Sequence, residues 1–205
     1  MQIEILKLGE IKTNCYIVKD EETKEAIVID PGEYDDSIIE AIGDYRLKQI
    51  VITHGHWDHI GGVEELRLKT GARVVAHINA KEYLNKESLN LCNFFKEKCS
   101  IEADEYIEEN TTIKVGRAEF KVYYTPGHTL GDMSLVSETE KVMFTGDVLF
   151  EGTIGRTDLP GGNMDQIIDS IKEKLLIYAD DFTVYPGHGH FTTIGHEKAH
   201  NRFIK

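Results

Sequence analysis

The chain has 205 residues, 40% of them hydrophobic, with 36 acidic against 23 basic side chains and a formal charge of -13. That length closes a real core, burying about 70% of the surface the unfolded chain exposes, and 18 Gly with 4 Pro exclude collagen-like and low-complexity classes. The acidic balance repels phosphate backbones and anionic membrane surfaces, so no nucleic acid and no membrane is expected as a partner.

Met1 to Glu10 alternates charge with aliphatics and lacks the basic-then-apolar order of a secretory leader. Ile3 to Leu8, Cys15 to Val18 and Ala26 to Ile29 alternate in period two and predict three short strands. The charged stretch Lys19 to Glu25 reads as a solvated hairpin turn. After Pro31-Gly32, Asp35 or Asp36 is placed to cap a helix whose one face carries Ile38, Ile39 and Ile42. A strand over Gln49 to Thr53 follows, then a helix bearing Ile60, Val63 and Leu66 that stops near Gly71, then a strand over Arg73 to Ala76. Residues 79 to 100 read as helical, with Leu89, Cys92 and Phe95 on one side. Further strands are expected at Ile113 to Val115, Ala118 to Tyr124, Met133 to Val136, Lys141 to Phe144 and Phe182 to Tyr185. Met164, Ile167, Ile168, Ile171 and Leu175 mark a periodic helix before the last of them. No stretch is composed as an interdomain linker, so residues 1 to 205 read as one α/β domain of two helix-covered sheets. Cys15, Cys92 and Cys99 are an odd, sparse set and read as reduced thiols of a cytoplasmic protein.

The chemistry gathers at His54-Gly55-His56-Trp57-Asp58-His59, directly after an apolar strand and directly before a helix. In extended backbone alternate side chains face one way, so His54 and His56 converge on one point while Asp58 and His59 aim at a neighbouring one. Each is half of a metal site, short of the three or more protein ligands that a catalytic ion usually takes. His128, Asp147 and His188 each follow a predicted strand within glycine-containing turns, where α/β sheets collect site residues. Any one of these three alone reads as a turn residue; together with the His54 to His59 cluster they complete a ligand set. His77 reads as structural, and His190, His196 and His200 as surface or supporting residues.

The series His54-x-His56-x-Asp58-His59, His128, Asp147, His188 resembles the metallo-β-lactamase superfamily over nearly the whole chain. Asn14-Cys15-Tyr16, Asp30-Pro31-Gly32 and Gly155-Arg156-Thr157-Asp158-Leu159-Pro160-Gly161-Gly162 are similar to its small glyoxalase II-like (hydroxyacylglutathione hydrolase-like) branch. The resemblance implies a four-layer αββα sandwich with the site at one edge of its two sheets. It implies two divalent transition-metal ions, zinc first and iron or manganese as alternatives, with His54, His56 and His128 on one, Asp58, His59 and His188 on the other, and Asp147 bridging. The implied reaction is hydrolysis of a small-molecule thioester of a hydroxy acid, such as S-lactoylglutathione. A hydroxide held between the ions attacks the carbonyl, with Asp58 and Asp147 as ligands and proton acceptors. Arg156 falls where the family's enzymes place a glutathione-binding cation, and Asp158 falls where they have an aromatic residue. β-Lactamases of the family lack an aspartate at the position of Asp147. A mononuclear iron persulfide dioxygenase and a lactonase share much of the pattern and stand as alternatives, as does a metal-binding scaffold without catalysis.

Overall fold

The computed structural model describes residues 1–95 and 100–205. The first half builds a mixed sheet from β1 (Gln2–Leu8), β2 (Thr13–Asp20), β3 (Glu25–Ile29), β4 (Arg46–Ile52), β5 (Arg73–His77) and β6 (Glu105–Ile107), ordered β1-β2-β3-β4-β5-β6. β1, β2 and β3 pair antiparallel, and β3, β4, β5 and β6 pair parallel. The parallel connections need crossovers. These are α1 (Asp36–Ile42), the pair α2 (Trp57–Ile60) and α3 (Val63–Thr70), and α4 (Lys81–Asn85), α5 (Glu87–Asn90) and α6 (Cys92–Phe95).

The second half adds β7 (Thr112–Val115), β8 (Ala118–Tyr124), β9 (Met133–Ser137), β10 (Val142–Gly146), the small hairpin β11 (Leu149–Phe150) and β12 (Thr153–Ile154), α7 (Met164–Ser170), β13 (Thr183–Pro186), β14 (Thr192–Thr193) and α8 (Ile194–His200). Its sheet runs β14-β13-β10-β9-β8-β7.

Period-two alternation sorts the side chains into three apolar layers. Ile17, Val28, Ile50, Ile52 and Val74 face outward beneath Ile38, Ile42, Ile60, Val63 and Leu66 of α1 to α3. Their neighbours Val18, Ile27, Ile29, Val51 and Val75 face inward onto Phe120, Val122, Leu135 and Phe144 of the second sheet. On that sheet's far side Val136, Met143 and Val184 meet Ile167, Ile171, Leu175 and Ile194. Three layers of core between four layers of structure make the αββα sandwich. The central layer is the costliest to thin, since Phe144→Ala would empty a fully buried ring site at about 3–5 kcal/mol.

Several expected elements shift. The hairpin strands run on to Asp20 and from Glu25, because Lys19 is buried and donates to the Ala41 carbonyl at 2.8 Å. Asp35 caps α1, accepting from Ser37 N at 2.9 Å, but Ile39 points outward while Ile38 and Ile42 pack inward. One helix was expected over Ile60 to Leu66; Gly61 and Gly62 divide it, packed too closely on the Gly32 and Glu33 backbone to carry a side chain. The expected helix over 79 to 100 breaks at Lys86, in extended conformation, and at Leu91, with φ of 68°. Its residues 96 to 99, Cys99 among them, lie outside the described residues. α7 continues as a π-helical turn over Ile171–Leu175. Cys15 is a free, buried thiol, whereas Cys92 is disulfide-bonded, which corrects the wholly reduced reading. Among the described residues no helix is long and apolar enough to cross a membrane.

Candidate metal centre

The carboxyl ends of β4, β8, β10 and β13 come to one edge of the sandwich, and the loops that leave them carry the cluster. After β4 the chain stays extended through His56 (φ -70°, ψ 148°) and then turns into α2, which places Asp58 and His59 in its first turn. His54, His56 and His128 are almost wholly buried, at 1%, 3% and 2% exposure. His54 Nε2 and His128 Nε2 lie 3.2 and 2.9 Å from His56 Nδ1. The second trio is Asp58, His59 and His188: Asp58 Oδ2 stands 3.1 Å from His188 Nε2 and 3.3 Å from His59 Nε2. Asp147 lies between the trios, its Oδ1 3.4 Å from His59 Nε2 and its Oδ2 3.6 Å from both His128 Nε2 and His188 Nε2. All seven residues singled out in the sequence as ligands are thus together.

Their neighbours decide which nitrogens face inward. His128 Nδ1 lies 2.8 Å from the Arg156 carbonyl, which only accepts, so this nitrogen carries the proton and Nε2 offers a lone pair. Thr53 Oγ1 donates to Asp30 Oδ2 at 2.6 Å and lies 3.3 Å from His54 Nδ1, whose proton it can accept. Asp30 also stands 2.9 Å from His59 Nδ1 and takes the Thr53 N–H at 2.7 Å. One carboxylate therefore orients a histidine of each trio. Thr13 Oγ1 donates to Asp58 Oδ2 at 3.0 Å. Asn14 Nδ2 and Tyr16 Oη both donate to the Pro186 carbonyl, which fixes the turn carrying His188. Asp132 accepts from the backbone N–H of His128 and Thr129 at 2.9 and 2.7 Å. Gly187 is obligatory: a Cβ there would lie 2.2 Å from Asp147 Oδ1 and 2.6 Å from the His59 ring.

This donor set fits divalent transition-metal ions. With His54 and His128 protonated on their outer nitrogens, their Nε2 lone pairs converge on His56 Nδ1, and the three rings together offer one ligand atom each within 4.8 Å of one another. His59 Nε2 and Asp147 Oδ1, though 3.4 Å apart, are buried without a hydrogen bond, as are His56 Nε2 and Asn14 Oδ1, so three of the four such atoms among the described residues belong to the cluster. Imidazole and carboxylate together suit zinc, iron and manganese.

Burial and then the surrounding imidazoles push His54 well below the ordinary histidine range; burial and then His128 take His56 down to about 3. At His59 burial acts the same way but is outweighed by Asp58, Asp147 and Asp30, which raise it. His188 is likewise raised, burial being overcome by the Asp58 hydrogen bond and the Asp147 charge. Asp58 and Asp147 are held below the carboxylate range because nearby histidines, His59 foremost, outweigh their burial.

Arg156 reaches the centre through its backbone. Its exposed guanidinium forks onto Asp158, Nε to Oδ1 at 2.7 Å and Nη2 to Oδ2 at 2.8 Å. His77 is buried and stacks on Tyr124 with ring centroids 4.7 Å apart, away from the ligand trios. His190, His196 and His200 are exposed. Sequence reasoning missed Asp30, Thr53, Thr13 and Asp132 as supports. Asp30 alone carried a signal, as a polar residue between an apolar strand and Pro31-Gly32.

The profile of the metallo-β-lactamase superfamily matches residues 8–188. The chain belongs to the metallo-β-lactamase superfamily. Within it the chain is 37% identical to the hydroxyacylglutathione hydrolase GloC of Haemophilus influenzae, over 100% of this chain and 98% of that protein. The crystal structure of BLEG-1, described as a B3 metallo-β-lactamase, superposes with a TM-score of 0.93 at 34% identity and covers 100% of both chains. A family member solved in a di-iron-bound form superposes at 0.87 with 28% identity, over 98% of this chain and 99% of that one. The protein is a metal-dependent hydrolase of this superfamily, with a His/Asp cluster suited to a divalent metal.

Proposed function

We propose that this protein is a dinuclear thioesterase that hydrolyses thioesters of small hydroxy acids, S-lactoylglutathione or the lactoyl ester of another low-molecular-weight thiol. His54, His56 and His128 would hold one ion and Asp58, His59 and His188 the second, with Asp147 available to both, zinc first and iron or manganese as alternatives. The observation that carries this reading is the position of Asp147, whose two oxygens each stand within 3.6 Å of the trios' inward nitrogens. The name of the Haemophilus relative supports the substrate class, and the di-iron-bound relative supports a pair of ions.

Bound ions supply a water ionised near neutral pH and a Lewis acid for the substrate carbonyl. The chain does the rest. Asp30, Thr53 and the Arg156 carbonyl lock the histidine tautomers, so no reorganisation is needed during turnover. Asp58 and Asp147 stay ionised and would accept the proton that the water gives up on ionising, which leaves its oxygen free to bond to the carbonyl carbon. When the C–S bond breaks, the thiolate leaves with the sulfur electrons and would take that proton, giving one hydroxy acid and one thiol per water consumed. Arg156 is assigned to a carboxylate of the thiol, for which it must exchange its contact with Asp158.

The test is a substrate panel on metal-analysed protein: a lactoyl thioester, a lactone, a β-lactam and a thiol persulfide with oxygen uptake. Chelator-sensitive release of thiol from the thioester is expected to exceed all other rates. Dominant lactone opening, β-lactam cleavage or oxygen consumption would each replace this reading.

A further inference from the structure

A groove of about 650 Å³ opens between α4 and the residues Tyr124 and Leu130, within the size range of small-molecule sites. None of the seven cluster residues lines it, yet both of its walls are tied to the centre. One wall is the outer face of α4. The inner face of that helix carries Tyr83, buried edge-on to His56 with centroids 6.5 Å apart and set where a Cβ on Gly55 would lie 2.6 Å from its own. The other wall is Tyr124 and Leu130, which flank the loop that carries His128. Tyr83 Oη accepts from Leu130 N at 3.2 Å and donates to the Pro160 carbonyl at 3.0 Å, and Tyr124 Oη donates to the Leu130 carbonyl at 3.1 Å. A molecule in the groove therefore lies against the loop that holds His128.

The lining has the chemistry of an extended polar chain with an anionic end. Asn79 and Asn85 offer amides, Tyr124 a ring and Leu130 exposed apolar surface. Lys81 and Lys86 outnumber Glu82, a local cationic excess in a chain of net charge -13. Lys86 is paired with Glu82, and Arg156, which does not line the groove, is paired with Asp158. Lys81 has no carboxylate partner among the described residues; its Nζ stands 5.0 Å over the Tyr106 ring.

We propose that this groove binds the distal part of the leaving thiol, an amide-bearing chain ending in a carboxylate or a phosphate, and that Lys81 receives the anion. The proposal rests on the thioesterase reading for where the acyl group sits: with the carbonyl at the centre, the thiol must lead outward, and a chain of three residues spans roughly 10 Å. Lys81 is exposed, so its substitution leaves the core intact.

The experiment has two readouts. Calorimetry with S-methylglutathione and with S-methyl coenzyme A, neither of which can be hydrolysed, measures groove binding in the wild type and in Lys81→Glu. Kinetics on the lactoyl thioesters of glutathione and of N-acetylcysteamine, a short neutral thiol, measure turnover. The expected result is that at least one anionic probe binds and loses about tenfold affinity in Lys81→Glu. KM for the anionic thioester should rise by the same factor, with the neutral ester unchanged. The carboxylate probe and the phosphate probe tell the two anions apart. Binding of neither probe, binding that ignores Lys81, or an equal rise in KM for both esters overturns the groove. Should Lys81-dependent binding persist while neither ester is cleaved, the groove stands and the thioesterase reading falls.

Discussion

The two trios of the cluster meet at Asp147 but are built on opposite electrostatics. At the three-histidine end, burial and mutual repulsion keep His54 and His56 neutral, with no carboxylate of their own. At the mixed end, Asp58 and Asp147 raise the proton affinity of His59 and His188, Asp30 adds to it at His59, and the His188 side chain is 27% exposed. The first end is therefore ready for a cation, whereas the second must release protons to receive one. In the proposed dinuclear arrangement Asp147 would couple ends that otherwise load independently.

The largest expected effect breaks that coupling. Asp147→Ala should lower occupancy of both ends and reduce kcat/KM by more than the roughly 100-fold upper figure for a merely supporting partner. Metal analysis of the purified variant checks it, and two retained ions with near-normal turnover would remove Asp147 from its bridging place.

Next in size, Asp30→Asn sharpens the comparison. It weakens the acceptor at His59 Nδ1 directly and reaches His54 only through Thr53. Affinity at the mixed end should fall about 10–100-fold, with a smaller loss at the three-histidine end, read by competition with a chromophoric chelator. Equal losses at both ends would contradict the asymmetry.

The third expectation concerns pH. His59 and His188 keep a proton to higher pH than a free imidazole, so cation affinity at the mixed end should climb as pH rises above the ordinary histidine range, with proton release on binding. His54 and His56 shed theirs well below neutrality, so the other end should show a flat profile. In the metal-free chain the same charges add stability that is full below the unfolded value of about 6.5 and fades as pH rises through the raised folded values. Calorimetry in buffers of different ionisation enthalpy counts the protons, and identical slopes for both ends would refute the contrast.

The smallest effect lies at Arg156. Arg156→Ala leaves the carbonyl that holds His128 in place and removes only the guanidinium, so KM should rise a few-fold with kcat nearly unchanged. A fall in kcat alone would move Arg156 from binding to positioning.

Much of this was legible before any coordinates. Period-two alternation at Ile27-Val28-Ile29 and Ile50-Val51-Ile52 sorts residues between the outer and central layers, and a strand followed by His-x-His and a helix places two pairs of donors. What stayed hidden depends on contacts across the fold. Asp30 becomes a support only because β3 and β4 lie side by side and bring Thr53 to it. β6, β11, β12 and β14 are two or three residues long, too short for any periodicity. The break at Leu91 requires a left-handed residue that nothing in its side chain announces.

The central claim is that seven side chains hold two ions which together cleave a thioester. Stepwise metal titration of the metal-stripped protein, with lactoyl thioester hydrolysis followed at each addition, tests it most directly. Activity should stay near zero through the first equivalent, rise with the second and stop at two ions per chain. Full activity at one ion per chain, or hydrolysis by the stripped protein, would contradict it.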